Sequence, residues 1–154
     1  MANIAQTVNV LQAMVLTDGA KMLRTPTYHV FEMFKVHQGG TYLPAELETD
    51  DYVLDNQHMP AVSASATRDK DGTVHLSLVN ADPRQARPIH CQILGAALKS
   101  VSGRILTAPE MNAHNTFEQP NTVQPAPLEG AELQGAALRV TLPPKSVMVL
   151  RLAS

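Results

Sequence analysis

Three features of the sequence carry side chains suited to chemistry. The segment ELETDDYVLD gathers Glu46, Glu48, Asp50, Asp51 and Asp55. Paired carboxylates divide general acid and base work, or hold a hard cation. The spacing here matches no calcium loop, and an acidic run on one loop is ordinarily solvated surface. The stretch MNAHNTFEQPNTVQ, residues 111–124, combines His114 and Glu118 with Asn112, Asn115 and Asn121. That is the composition of a polar reaction centre, and equally of a long structural turn. Six histidines are present: His29, His37, His58, His75, His90 and His114. No HExxH pair or compact His/Cys/Asp set occurs among them, so a structural role is expected for all six, with no metal and no cofactor. There is no GxSxG elbow and no phosphate loop. Cys91 is the one cysteine, which excludes an internal disulfide. Between Ile89 and Ile93 it reads as a buried, inert thiol.

Composition removes several function classes. Charged residues make up 17% of the chain and the net charge is -2. A nucleic-acid partner would need a basic stripe, and the strongest basic cluster is only Arg84 and Arg87 beside Asp82. No apolar run reaches membrane-spanning length. The start, MANIAQTVNVLQAMVL, lacks the basic region and small-residue cleavage site of a signal peptide. The 154 residues, 44% hydrophobic, suit one domain, or one with a small appendage.

The elements that must position these residues fall into two groups. In NIAQTVNVLQAMVL, Ile4, Val8, Leu11 and Val15 recur at helical spacing, with Asn3 as a cap. After TDGA, KMLRTP is a short extended piece. A second helix follows in TPTYHVFEMFKVHQ, with Thr25 as its cap and Pro26 at its first position; Val30, Met33, Phe34 and His37 line one face. Beyond Gly39 and Gly40 the pattern changes to period two. PAVSASATRDKDGTVHLSLVNADP reads as a hairpin in which Val62, Ala64 and Ala66, then Val74, Leu76 and Leu78, face a core. His75 falls on the opposite, exposed side. RPIHCQILG and SVSGRILTAP are further strands, the second carried by Val101, Gly103 and Ile105. GAALRVTLPPKSVMVLRLAS reads as a closing hairpin turning at PPKS. The fold class is therefore mainly β, an antiparallel, jelly-roll-like sandwich preceded by two helices and a short strand. The segments divide as 1–38 and 39–154. In 111–124, Asn and Pro suit a long connection, with Phe117 as the anchor to the core.

MANIAQTVNVLQAMVLTDG with MLRTPTYHVFEMFKVHQ resembles the last turns of the (β/α)8 barrel of glycoside hydrolase family 51 α-L-arabinofuranosidases. HLSLVNAD, MNAHNTFEQPNTVQP and LPPKSVMVLRL are similar to that family's C-terminal sandwich. The resemblance implies a retaining enzyme that removes terminal arabinofuranosyl units from arabinan, arabinoxylan or small oligosaccharides. Two Glu residues at the ends of barrel strands four and seven do the chemistry. Both would lie upstream of Met1, so no catalytic residue is expected in this chain, and Glu32 and Glu118 are not candidates. Arg24 and Thr25, after the eighth strand, are the positions the resemblance places nearest the sugar.

The resemblance implies a C-terminal fragment or subunit, not catalytic alone. Its expected partner is the remaining barrel as a separate chain, or another copy meeting it through the exposed apolar helix faces. A membrane is not expected, and a cytoplasmic location is. The alternative is a free-standing accessory or carbohydrate-binding module. Aromatic residues are 4% of the chain and tryptophan is absent, which leaves Tyr42 and Tyr52 as the candidate glycan contacts.

Overall fold

Alternating apolar residues build most of this chain. The computed structural model describes residue 4 and residues 6–154. The strands and helix run β1 (Val15–Asp18), β2 (Lys21–Arg24), α1 (Pro26–Phe34), a 3-10 turn (Lys35–His37), β3 (Thr41–Leu43), β4 (Asp51–Leu54), β5 (Gln57–Pro60), β6 (Val62–Arg68), β7 (Val74–Asn80), β8 (Arg87–Gln92), β9 (Ser100–Leu106), β10 (Ala126–Pro127), β11 (Glu132–Gln134), β12 (Ala137–Leu142) and β13 (Ser146–Ala153). A six-stranded antiparallel sheet has the order β10-β9-β13-β7-β6-β3, and a three-stranded sheet the order β11-β12-β8. Strands β1–β2 and β4–β5 form separate two-stranded ribbons.

The main core lies between the two larger sheets. Val74, Leu76 and Leu78 of β7 and Met148, Leu150 and Leu152 of β13 meet Leu138, Val140 and Leu142 of β12. Leu138, Leu142, Met148, Leu150 and Leu152 have no solvent exposure. The period-two readings of β6, β7, β8 and β9 hold: Val101, Gly103 and Ile105 are the less exposed set of β9. Gly103 is required by proximity, because a Cβ there would stand 2.7 Å from the Val149 carbonyl oxygen.

The second helix forms as the spacing predicts. Thr25 adopts an extended conformation and its hydroxyl accepts from the Tyr28 amide at 3.3 Å, capping α1, with Pro26 at the first helical position. The face that includes Val30, Met33 and Phe34 packs on the outer side of the six-stranded sheet, against Val147, Val149, Leu106 and Val123. The six-stranded sheet is thus covered on both faces. This corrects the expectation for His75: it is 8% exposed, because the 3-10 turn after α1 covers the outer face of β7.

Two further expectations are corrected. Among the described residues, the segment before β1 is not a helix, so one helix rather than two precedes the sandwich; Asn3 lies outside the described residues. Asn9 and Gln12 have left-handed backbones, at φ 54° and 62°. The Asn9 side chain donates to Thr17 Oγ1 at 2.8 Å and accepts from the Thr17 amide at 2.7 Å. Its backbone amide donates to the Val15 carbonyl, and that of Val15 to Thr7. These bonds to β1 replace the i to i−4 ladder, the competition that asparagine side chains offer helices. The apolar face is not assembled either: Leu11 is 93% exposed while Ala13 is buried. The exposed apolar surface at this end belongs to a loop and a ribbon, through Val8, Leu11 and Met22, rather than to a helix face.

The closing hairpin is also not formed. β12 pairs with β8 and β11, whereas β13 pairs with β7 and β9. PPKS is a corner that carries the chain from one sheet to the other. Buried Asn80 holds it, its Nδ2 donating to the carbonyls of Pro143 and Gln85 at 2.9 Å and facing that of Leu142 at 3.3 Å. Ser146 closes the turn by donating to the Pro143 carbonyl at 2.7 Å.

Candidate functional site

The region around Arg24 and Thr25 is assembled from three distant parts of the chain. The Thr25 amide donates to the Met14 carbonyl at 3.0 Å, and its hydroxyl donates to the Ala13 carbonyl at 2.7 Å. The Arg24 carbonyl accepts from Asn115 Nδ2 at 2.9 Å. The Arg24 guanidinium lies 5.1 Å from the centre of the Tyr28 ring, a cation–π arrangement. Arg24 is exposed and Thr25 half-buried. Thr25 therefore has a full structural occupation as helix cap and anchor of 13–14, and Arg24 presents a cation beside an aromatic ring.

In MNAHNTFEQPNTVQ, Asn115 bonds backbone of its own connection, as asparagines in such a path are expected to, and its bond to distant Arg24 is what sequence reasoning missed. Asn115 is 5% exposed, and besides Arg24 it donates to the Val123 carbonyl at 2.9 Å and accepts from the Val123 amide at 2.7 Å. The long connection is pinned by Asn115 and by Val123, which is buried against Met33, Leu106 and Val149. Phe117, expected as the anchor, is only half-buried and lies outside both core clusters. An amide that reads both edges of a neighbouring backbone replaces an aromatic plug. His114 bonds its own loop through the Asn112 carbonyl at 2.9 Å, and Glu118 is exposed.

The two candidate tyrosines stand on different sheets. Tyr42 is on edge strand β3 opposite Thr67 and is 71% exposed. Tyr52 is on the β4–β5 ribbon opposite Met59. Of the two, Tyr52 lines a cleft of about 370 Å³ with Asp50, Asp51, Asp82, Arg84 and Arg87. Arg87 bridges Asp82 at 2.8 Å and Asp50 at 3.2 Å. Asp82 also accepts from the amides of Arg84 and Gln85. Burial works to raise the Asp82 pKa, but these amides and the Arg87 guanidinium outweigh it and hold the carboxyl below its ordinary value. A second cleft, of about 490 Å³, opens between the sheets and is mainly apolar, lined by Leu43, Ala66, Leu76, Cys91, Ile93 and Leu152 among others. Cys91, expected to be buried, is half-buried at this cleft, and burial raises its thiol pKa, which favours the protonated form.

Glu32 sits on α1 and joins Arg104 of β9 at 2.7 Å and Lys35 at 3.2 Å. Burial works to raise its pKa, yet hydrogen bonds from Arg104 and then Lys35 hold it below the ordinary value. It is therefore held ionised as an ion-pair partner, which is unsuited to donating a proton near neutrality. Among the described residues, no three of His, Cys, Asp and Glu converge as a metal site. No helix among them is long and apolar enough to cross a membrane.

The family model for the alpha-L-arabinofuranosidase C-terminal domain matches residues 1–146. The chain is 46% identical over 153 residues to the intracellular exo-alpha-L-arabinofuranosidase of Bacteroides ovatus, a match covering 99% of this chain and 30% of that protein. It is 31% identical over 150 residues to the exo-alpha-(1->6)-L-arabinofuranosidase of Bifidobacterium longum, covering 94% of this chain and 29% of that protein. The crystal structure of the GH51 arabinofuranosidase from Xanthomonas axonopodis pv. citri superposes with a TM-score of 0.95 at 47% identity, over 99% of this chain and 31% of that one. The chain thus spans less than a third of the length of the curated relatives it matches.

Proposed function

Since the chain belongs to the alpha-L-arabinofuranosidase C-terminal domain family, we propose that it serves as the C-terminal part of a retaining α-L-arabinofuranosidase and is not catalytic alone. The observation that carries this reading is the coverage: 99% of the chain matches 30% of an exo-acting relative. In this reading a preceding barrel supplies the two carboxyl groups that protonate the leaving oxygen and attack the anomeric carbon. The substrates are terminal arabinofuranosyl units of arabinan, arabinoxylan or arabino-oligosaccharides. The name of the Bacteroides ovatus relative supports a cytoplasmic location.

The sandwich and α1 then act as a platform, and the loop and ribbon before α1 as the surface that meets the barrel. Val8, Leu11 and Met22 are exposed there at 46%, 93% and 60%. Exposed apolar side chains of this kind suit an interface. Without a barrel, the same surface supports association between copies of the chain. The test is an aryl α-L-arabinofuranoside assay on the pure 154-residue chain, alone and mixed with a separately made barrel polypeptide. Activity only in the mixture is the expected result. Turnover by the chain alone, with its mass verified, would overturn the reading.

A second reading, a carbohydrate-binding accessory module, is favoured by the position of Tyr52 in the cleft with Asp50, Arg84 and Arg87. An aromatic face beside planar polar groups suits sugar hydroxyls. Saturable binding of arabino- or xylo-oligosaccharides to the isolated chain, lost in Tyr52→Ala, would favour this reading over the first.

A further inference from the structure

His37 closes the 3-10 turn after α1 and points at the outer face of the six-stranded sheet. Its Nδ1 lies 2.8 Å from Thr67 Oγ1 on β6, and its Nε2 is hydrogen-bonded with Ser77 Oγ on β7. Ser77 is 2% exposed. A neutral imidazole has one donor and one acceptor nitrogen, so it suits two hydroxyls that each complete the opposite role. A protonated ring has two donors. The hydroxyl that had been donating must turn to accept, and its own hydrogen then needs another acceptor in a covered site, at a cost.

The charges facing His37 do not compensate. On β7, His75 lies two residues from Ser77 on the same outer face. Arg151 of β13 stands opposite His75 in the ladder, and Arg104 of β9 opposite Val149, which pairs with Ser77. Arg68 follows Thr67 on β6 but is exposed on the alternate side. Of the carboxylates, Asp69 is occupied by the His75 ring at 3.1 Å and by the amides of Asp71 and Thr73. Glu32, on α1, is occupied by Arg104 and Lys35. His29 of α1 and Lys35 of the turn itself add only positive or neutral groups. Phe34 lies against the ring, with centroids 5.8 Å apart.

We propose that His37 is an acid-sensitive latch: in its neutral form it fastens α1 and the 3-10 turn to the outer face of the sandwich, and uptake of a proton releases them. The chemistry agrees in sign with the environment, since burial, and then the charge of His75, lower the His37 pKa from its ordinary value. A base whose folded-state pKa is lowered stabilises the closed form above its free value, and that contribution is lost as pH falls from there toward the lowered value. The device concerns the element that joins the sandwich to the ribbon and loop at residues 6–24. It stands on the geometry of this chain whether or not a barrel partner exists.

The test uses the full 154-residue chain. Histidine ring resonances and amide-exchange protection factors are followed by NMR from about pH 7.5 to about pH 5. The expected result is a His37 titration midpoint below the ordinary value of about 6.5, with α1 protection falling about tenfold per pH unit in the interval between the two. In His37→Gln, which keeps one donor and one acceptor but no titration, the pH dependence of α1 protection shrinks to the part contributed by His29 of α1, whose pKa burial also lowers. In His75→Gln, where the neighbouring charge is gone, the His37 midpoint moves upward; this second variant keeps the test decisive if His37→Gln fails to fold. A His37 midpoint at or above the ordinary value, or α1 protection in the wild type that does not change with pH, would overturn the proposal.

Discussion

The side-chain amide of Asn115 donates a 2.9 Å hydrogen bond to the main-chain carbonyl of Arg24, a residue 91 positions earlier. The same amide reads both edges of Val123. One buried side chain therefore joins the end of β2, the start of α1 and the long connection 111–124. Asn115→Ala removes these bonds and leaves buried backbone groups unpaired. The expected loss is about 3 kcal/mol, measured by urea unfolding of the full chain. An Asn115→Ala protein with unchanged stability would contradict the role given to this residue.

Gly103 faces the Val149 carbonyl too closely for a side chain. Gly103→Ala must push β9 away from β13, and overpacking of this kind costs about 1–3 kcal/mol. A lowered melting temperature is the readout. Gly72, on the DKDG turn, offers the contrast: nothing lies within 4 Å of an added Cβ, and the cost there arises from its φ of 84° alone.

The carboxyl of Asp82 is held below its ordinary pKa by two backbone amides and Arg87. Its contribution is complete above the value of the unfolded chain and is lost as pH falls through the folded-state value. Asp82→Asn should therefore flatten the acid limb of the stability profile, read by denaturant unfolding from about pH 6 to about pH 2. An acid limb as steep in the variant as in the wild type would show that other carboxylates control it.

Leu11 and Met22 are exposed in the isolated chain at 93% and 60%. Substitutions at such positions change folding stability by about 0.5 kcal/mol or less. Leu11→Glu with Met22→Glu is expected to leave the melting temperature nearly unchanged, to abolish any self-association seen by sedimentation, and to weaken restoration of activity by a barrel polypeptide. Unaltered restoration would place the interface elsewhere.

Asn80 holds the PPKS corner through the carbonyls of Gln85, Leu142 and Pro143. Asn80→Ala should cost about 2–3 kcal/mol, since the corner carbonyls lose a buried donor. Substitution of exposed Lys99 by Ala is the control, expected near zero in the same melting experiment.

Local sequence determined a large part of this protein. Period-two alternation located β6, β7, β8 and β9, because a strand's apolar face is written every second residue. Thr25 and Pro26 marked the start of α1, Val30, Met33 and Phe34 marked its inward face, and His37, expected on the same helix face, points inward from the 3-10 turn that follows. The family was legible in the ordered segments from NIAQTVNVLQ to NTFEQPNTVQP, and residues 1–146 match its model. Tertiary structure alone decided the rest. Periodicity says which residues share a face but not what covers it, so His75 reads as exposed until the turn carrying His37 covers the sheet. Two adjacent strands with a Pro-rich link read as a hairpin, yet β12 and β13 lie in different sheets because each finds its hydrogen-bonding edges elsewhere in the chain. Among the described residues, the helical spacing of Val8, Leu11 and Val15 lost to the side chain of Asn9 and to pairing with β1. Asn115 carries no local sign of its contact with Arg24, since nothing within a turn or a strand encodes a partner so distant in the chain.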